Sequence, residues 1–202
     1  ASNPNYSDVT PAIEALARRS LENSSIAADD YVRYDVKRGL RDLNGKGVVA
    51  GLTEVSEIVS NQVVGGKTVP CEGQLFYRGY SIEDLVRCSL QEKRFGFEEA
   101  AYLLLFGELP TQSQLQDFGQ LPTRRELDDF MDQLASYRTL PKNFVRDVIL
   151  KAPSADMMNS LAKCVLSIAS YDDKTDDISL PNVMRQCVQL TALFPMLSVY
   201  GY

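Results

Sequence analysis

Cys71-Glu-Gly-Gln-Leu-Phe-Tyr-Arg-Gly-Tyr-Ser-Ile-Glu-Asp-Leu85 is where the pattern of the chain changes. Leu75 to Tyr77 reads as a short strand, whereas Ser81 followed by Asp84 has the spacing of a capping box and opens a helix. Gly79 divides the two, and Arg78 beside it is read as structural, closing a β-rich stretch ahead of the Ser81 helix.

Upstream, from Gly39 to Gly79, glycines punctuate β-branched runs. Val48-Val49, Val55 to Val59 and Val63-Val64 are further strand candidates, with Gly65-Gly66 as a hairpin turn. A small β-rich excursion is therefore expected near residues 48–78, inside a segment 39–80. Before it, residues 1–38 hold two helical candidates. Thr10 ahead of Pro11 starts the first, with Ile13, Leu16 and Ala17 on one face; the second spans Ala27 to Arg38.

Downstream, residues 81–202 read as helical throughout. Thr111 with Gln114 and Thr123 with Glu126 repeat the capping spacing. Apolar faces follow at Phe97, Ala100, Ala101 and Leu104, at Leu127, Phe130, Met131 and Leu134, and at Phe144, Val145, Val148 and Ile149 after Pro141. Ser154 precedes a helix with Leu161, Val165 and Ile168 on a broad apolar face and the small residues Ser160, Ala162 and Ser167 on its surface. Ser179 precedes another, apolar on most sides from Val183 to Tyr200. Such helices need cover on more than one face, and the chain stops at Tyr202 with no polar cap, so the natural protein is expected to continue.

Composition narrows the function. The formal charge is −6, with 21 Lys and Arg scattered among 27 Asp and Glu, which argues against a nucleic-acid footprint. No run approaches the roughly 18 apolar residues of a membrane span. Cys71, Cys88, Cys164 and Cys187 lie far apart and read as buried reduced thiols. With no histidine and no C-x-x-C pair, a zinc site and a Ser-His or Cys-His nucleophile are set aside. Asp172-Asp173 and Asp176-Asp177 lack the glycine and distal glutamate of a calcium loop and read as a solvated turn. Gly45-x-Gly47 and Gly65-Gly66 read as turn glycines, not phosphate cradles.

The run Gly39-Leu-Arg-Asp-Leu-Asn-Gly-Lys-Gly47, the opening stretch 71–85, Glu98-Glu-Ala-Ala-Tyr-Leu-Leu-Leu-Phe-Gly-Glu-Leu-Pro110, Asn143-Phe-Val-Arg-Asp-Val-Ile-Leu-Lys-Ala-Pro153 and Met157-Met-Asn-Ser-Leu161 together resemble the citrate synthase family, in order and spacing, over residues 39 to 202. The resemblance is to the N-terminal half of a bacterial-type member. It implies a mainly α fold, a multihelical portion of the large domain with a small β excursion. It further implies a cytoplasmic homodimeric acyltransferase that condenses acetyl-CoA, a substrate and not a cofactor, with oxaloacetate, pairing through residues 154–171 and 179–202. The family's histidines and catalytic aspartate lie beyond the matched part, so this chain alone is expected to be inactive. Arg41 aligns with an arginine that approaches coenzyme A phosphates in the family; Asp42 follows it here where the family has glycine, and a solvated surface arginine is the competing reading. Two alternatives stand beside this one: a 2-methylcitrate synthase, which uses propionyl-CoA, and a non-catalytic helical module that binds a partner through its final helices.

Overall fold

The computed structural model describes residues 7–42, 45, 47–109 and 124–202, which form two compact units. One comprises residues 1–19 with 122–202 and the other residues 20–121, so the first joins two stretches far apart in sequence. The expected starts at Thr111 and Thr123 lie outside the described residues.

Unit 20–121 carries the β excursion. Strands β1 (Ser56–Val64), β2 (Lys67–Tyr77) and β3 (Tyr80–Ser81) form an antiparallel sheet in that order. Gly65 and Gly66 make the β1–β2 turn at φ +58° and +77°, left-handed values that a side chain resists and that match the strand twist. The register runs from Val64 opposite Lys67 to Ser56 opposite Tyr77, with an irregularity between Val59 and Asn61. Pro70, which has no amide to donate, lies at that irregularity opposite Asn61. The expected fragments Val55–Val59 and Val63-Val64 are thus one strand. Val48-Val49 is not among the strands: Gly47 forms an isolated bridge to Arg41, and the Val49 carbonyl accepts the Lys37 amide at 2.8 Å.

Two helix ends in this unit use residues other than glycine. Helix α2 (Ala28–Arg33) stops five residues before the expected Arg38. Asp35 is left-handed at φ +50°, and the Val36 and Asp35 amides return to the Tyr31 and Val32 carbonyls, which is a Schellman closure. Helix α3 (Ile82–Gln91) ends the same way, with Lys93 at φ +54° and the Arg94 and Lys93 amides on Ser89 and Leu90. Ser81 does occupy the cap position of α3, but its side chain makes no capping bond, and Asp84 pairs instead with Arg87. Helix α4 (Phe97–Phe106) buries Tyr102, Leu103 and Phe106, so the turn of the helix toward the core differs from the Phe97–Leu104 face, on which Phe97 is exposed.

In the other unit, helix α1 (Pro11–Glu22, of which residues 20–22 fall in unit 20–121) begins at the expected Thr10, whose hydroxyl accepts the Ile13 amide at 3.3 Å. Ile13 and Ala17 are buried. Helix α5 (Arg124–Tyr137) buries Phe130 and Leu134, and packs on α7 (Leu180–Gly201). Helix α6 (Met157–Ala169) starts behind Asp156 and not Ser154: the Asp156 carboxylate accepts the Met158 and Asn159 amides, while the Ser154 hydroxyl accepts the Asp156 amide. Between α5 and α6, Val145–Ile149 forms a short π-helix. Phe144, just before it, and its Ile149 join Cys164 and Ile168 of α6 and Leu193 and Leu197 of α7 in one apolar core. Burial of that kind, worth about 25 cal/mol per Å², is what holds this bundle together.

Candidate functional site

Arg41 lies on an exposed loop between Gly39, at φ +102°, and the Gly47 bridge. Its Nη1 donates to the Gly45 carbonyl at 2.8 Å. The guanidinium therefore ties its own loop together, and its exposed donors face water. A planar cation with several donors suits a phosphate group.

Arg78 is embedded in its unit, as its structural reading requires. Its Nη2 donates to the Ser24 hydroxyl at 3.0 Å and to the Leu104 carbonyl at 3.1 Å. The next two carbonyls of α4 are also satisfied: Leu105 by the Ser20 hydroxyl and Phe106 by the Asn23 amide, each at 2.9 Å. Three consecutive end carbonyls, which have no partner within the helix, thus meet side-chain donors, and a cation sits at the negative end of the helix dipole. Gly107 completes the turn at φ +79°, where a Cβ would stand 3.2 Å from the Asn23 carbonyl.

The acidic loop between α6 and α7 is solvated at Asp173, Asp176 and Asp177, as expected, but Asp172 is drawn inward. Arg185, fully buried on α7, donates to Asp172 Oδ2 at 2.6 Å, to Asn182 Oδ1 at 2.9 Å and to Gln189 Oε1 at 3.0 Å. Asn182 Nδ2 in turn holds the Lys174 and Asp177 carbonyls at 2.9 and 2.7 Å. Burial pushes the Asp172 carboxyl up, but the hydrogen bonds from Arg185, the Lys174 amide and Ser7 together outweigh it and hold it below its ordinary value. Asn182, Arg185 and Gln189 recur at helical spacing inside a largely apolar helix. That polar stripe is the signal in the sequence for a buried network.

Two more expectations change. Ser160 is buried, with its Cβ 3.8 Å from where a Cβ on Gly201 would stand, so it serves the contact of α6 with the end of α7 in the same chain. Ala162 is exposed, and the Ser167 hydroxyl turns back to the Lys163 carbonyl at 2.8 Å. Among the cysteines only Cys164 is fully buried, and Cys88 is exposed; all four are free. Burial pushes the Cys164 and Cys187 thiols up. No helix among the described residues is long and apolar enough to cross a membrane.

The chain matches the family model of the citrate synthase C-terminal domain over residues 43–120 and 117–202. It is 42% identical over 163 residues to 2-methylcitrate synthase 2 of Corynebacterium glutamicum, covering 80% of this chain and 34% of that protein. It is 34% identical over 135 residues to a citrate synthase of Haloferax volcanii, covering 64% and 31%. The crystal structure of citrate synthase from Pyrobaculum aerophilum superposes with a TM-score of 0.56 at 26% identity, over 83% of this chain and 39% of that one. The chain thus spans about a third of the length of these two relatives.

Proposed function

Since the chain belongs to the citrate synthase family, we propose that it is part of an enzyme that condenses acetyl-CoA with oxaloacetate, releasing citrate and free CoA. The observation that carries this reading is the family match, whose two overlapping segments cover residues 43–120 and 117–202. The reaction requires a base to take a weakly acidic proton from the thioester methyl and donors to stabilise the enolate that results. This chain has no histidine to act as such a donor. On this reading the donors and the base belong to the remainder of the whole protein, and the 202 residues alone release no CoA. Arg41 contributes a contact to a coenzyme A phosphate. A cytoplasmic location and a homodimer paired through α6 and α7 go with the same reading.

A second reading has its own support: the relative named 2-methylcitrate synthase is the more similar of the two compared, and that reading replaces acetyl-CoA with propionyl-CoA. One assay addresses both. Thiol release is followed for the full-length protein with oxaloacetate and either acyl-CoA, with the 202-residue chain as a control. A higher kcat/KM for acetyl-CoA favours the first reading, and a higher value for propionyl-CoA the second. Release from neither by the full-length protein sinks the condensing-enzyme proposal, and turnover by the short chain sinks its predicted inactivity.

A further inference from the structure

The beginning of the chain is attached to the α6–α7 junction through a relay of three side chains. The Ser7 hydroxyl accepts the Asp173 amide at 3.0 Å and also faces the Asp172 carboxylate. Asp172 receives Arg185 Nη2 at 2.6 Å and the Lys174 amide at 3.0 Å. Asn182 fastens the far side of the same loop by its carbonyls. Beyond Ser7 the chain passes Asp8, which lies in electrostatic reach of the Tyr137 phenol, as Arg185 does, and then buries Ile13 and Ala17.

We propose that Arg185 is the latch of an N-terminal strap, residues 7–19, which it holds in place by fixing Asp172. Without the guanidinium, Asp172 is a carboxylate with almost no water and no cation, and the loop opens to hydrate it. Opening withdraws the Asp173 amide and the Asp172 carboxylate from Ser7, and the strap loses its first anchor. The apolar contacts of Phe130, Leu134, Val188 and Leu193 do not depend on the loop, so α5 and α7 stay folded. The strap is thus an element whose local opening is set by one side chain well below the cost of global unfolding.

Amide hydrogen exchange of the full chain, read by mass spectrometry, tests this. In Arg185→Met, peptides within 7–19 and 172–178 should exchange roughly tenfold faster or more, while peptides within α5 and the second half of α7 change by less than about threefold. Ser7→Ala should accelerate 7–19 and leave 172–178 protected except at the Asp173 amide, whose acceptor it removes, which separates strap from latch. Unchanged protection of 7–19 in Arg185→Met, or an equal rise across the whole helical unit, overturns the proposal. If Arg185→Met does not fold, Asp172→Asn keeps an acceptor for Arg185 while removing the charge. It should give a smaller rise confined to the same two peptides, and its absence there would equally refute the latch.

Discussion

Arg185 and Asp172 meet at 2.6 Å with their side chains 0% and 6% exposed. Pairs this deep are costly to break from one side, because the partner left behind is a buried charge. The two halves are not equivalent here. Asp172 sits on a loop that can open toward water, whereas Arg185 projects from the second turn of α7 among buried neighbours. Asp172→Ala should therefore destabilise the chain by about 3–5 kcal/mol, and Arg185→Met by less. Urea denaturation followed by circular dichroism measures both, and a loss below about 1 kcal/mol for Asp172→Ala would mean that the pair is hydrated.

The same carboxylate gives stability a definite slope on the acid side. The Asp172 carboxyl lies below its ordinary value in the folded chain, so its contribution is complete above the unfolded pKa of about 3.9 and is lost as pH falls through the folded one. Asp147 and Asp177 are lowered as well, each on the surface, and add to the same limb. The informative quantity is therefore a difference. Between about pH 5 and pH 3 the wild type should lose stability more steeply than Asp172→Asn; equal slopes would remove Asp172 from the account.

At the hairpin the cost of substitution is purely conformational. Gly66 stands at φ +77° with open space where a Cβ would go. Gly66→Ala should cost about 1–2 kcal/mol from the left-handed backbone alone, and Gly66→Asn less, since asparagine tolerates that region. Exchange protection of the β1–β2 amides reports the loss. If alanine and asparagine behave alike, the turn has rearranged and the left-handed geometry is not what sets the cost.

Features encoded by one residue's own chemistry were readable in advance. The Gly65-Gly66 turn follows from glycine's freedom, the Thr10 cap from a hydroxyl placed before proline, and the existence of α6 and α7 from apolar spacing. What stayed hidden depends on partners remote in sequence. Asp35 and Lys93 take left-handed helix ends that local preference gives to glycine, and Asp156 displaces Ser154 as a cap although both types are suitable. Ser160 looks like a surface residue until Gly201 is placed against it. Arg185 is hardest of all, because a buried cation is intelligible only once Asp172 and Gln189 are known to surround it.

Arg41 is tested in the full-length protein. A charge-assisted phosphate contact is worth about 1.5–3 kcal/mol, so Arg41→Ala should raise the acyl-CoA KM roughly 10- to 150-fold with less effect on oxaloacetate. Its bond to the Gly45 carbonyl is exposed, and losing it should lower stability by under about 1 kcal/mol. An unchanged KM would leave Arg41 with the loop-tying role alone.

The proposed dimer is probed at exposed positions of α6 and α7. Leu161 packs against the core formed by Phe144, Cys164 and Leu193, so Leu161→Glu reports on the fold of one chain and should destabilise it by about 2 kcal/mol or more. Met158 and Leu166 are different: they lie on α6 with Ala162, at spacings of four, and Leu166 is 75% exposed. Val199 and Tyr200 near the end of α7 are exposed too. A two-fold contact built on these residues buries the same patch on both copies, so a single charge enters the interface twice. Light scattering of the wild type should give a mass near twice 22.5 kDa. Leu166→Glu should return it toward the single-chain mass while leaving the helical circular dichroism and the urea midpoint of the monomer intact. A dimer that survives Leu166→Glu would place the interface elsewhere, and a wild-type monomer at tens of micromolar would show that these exposed side chains need no partner copy.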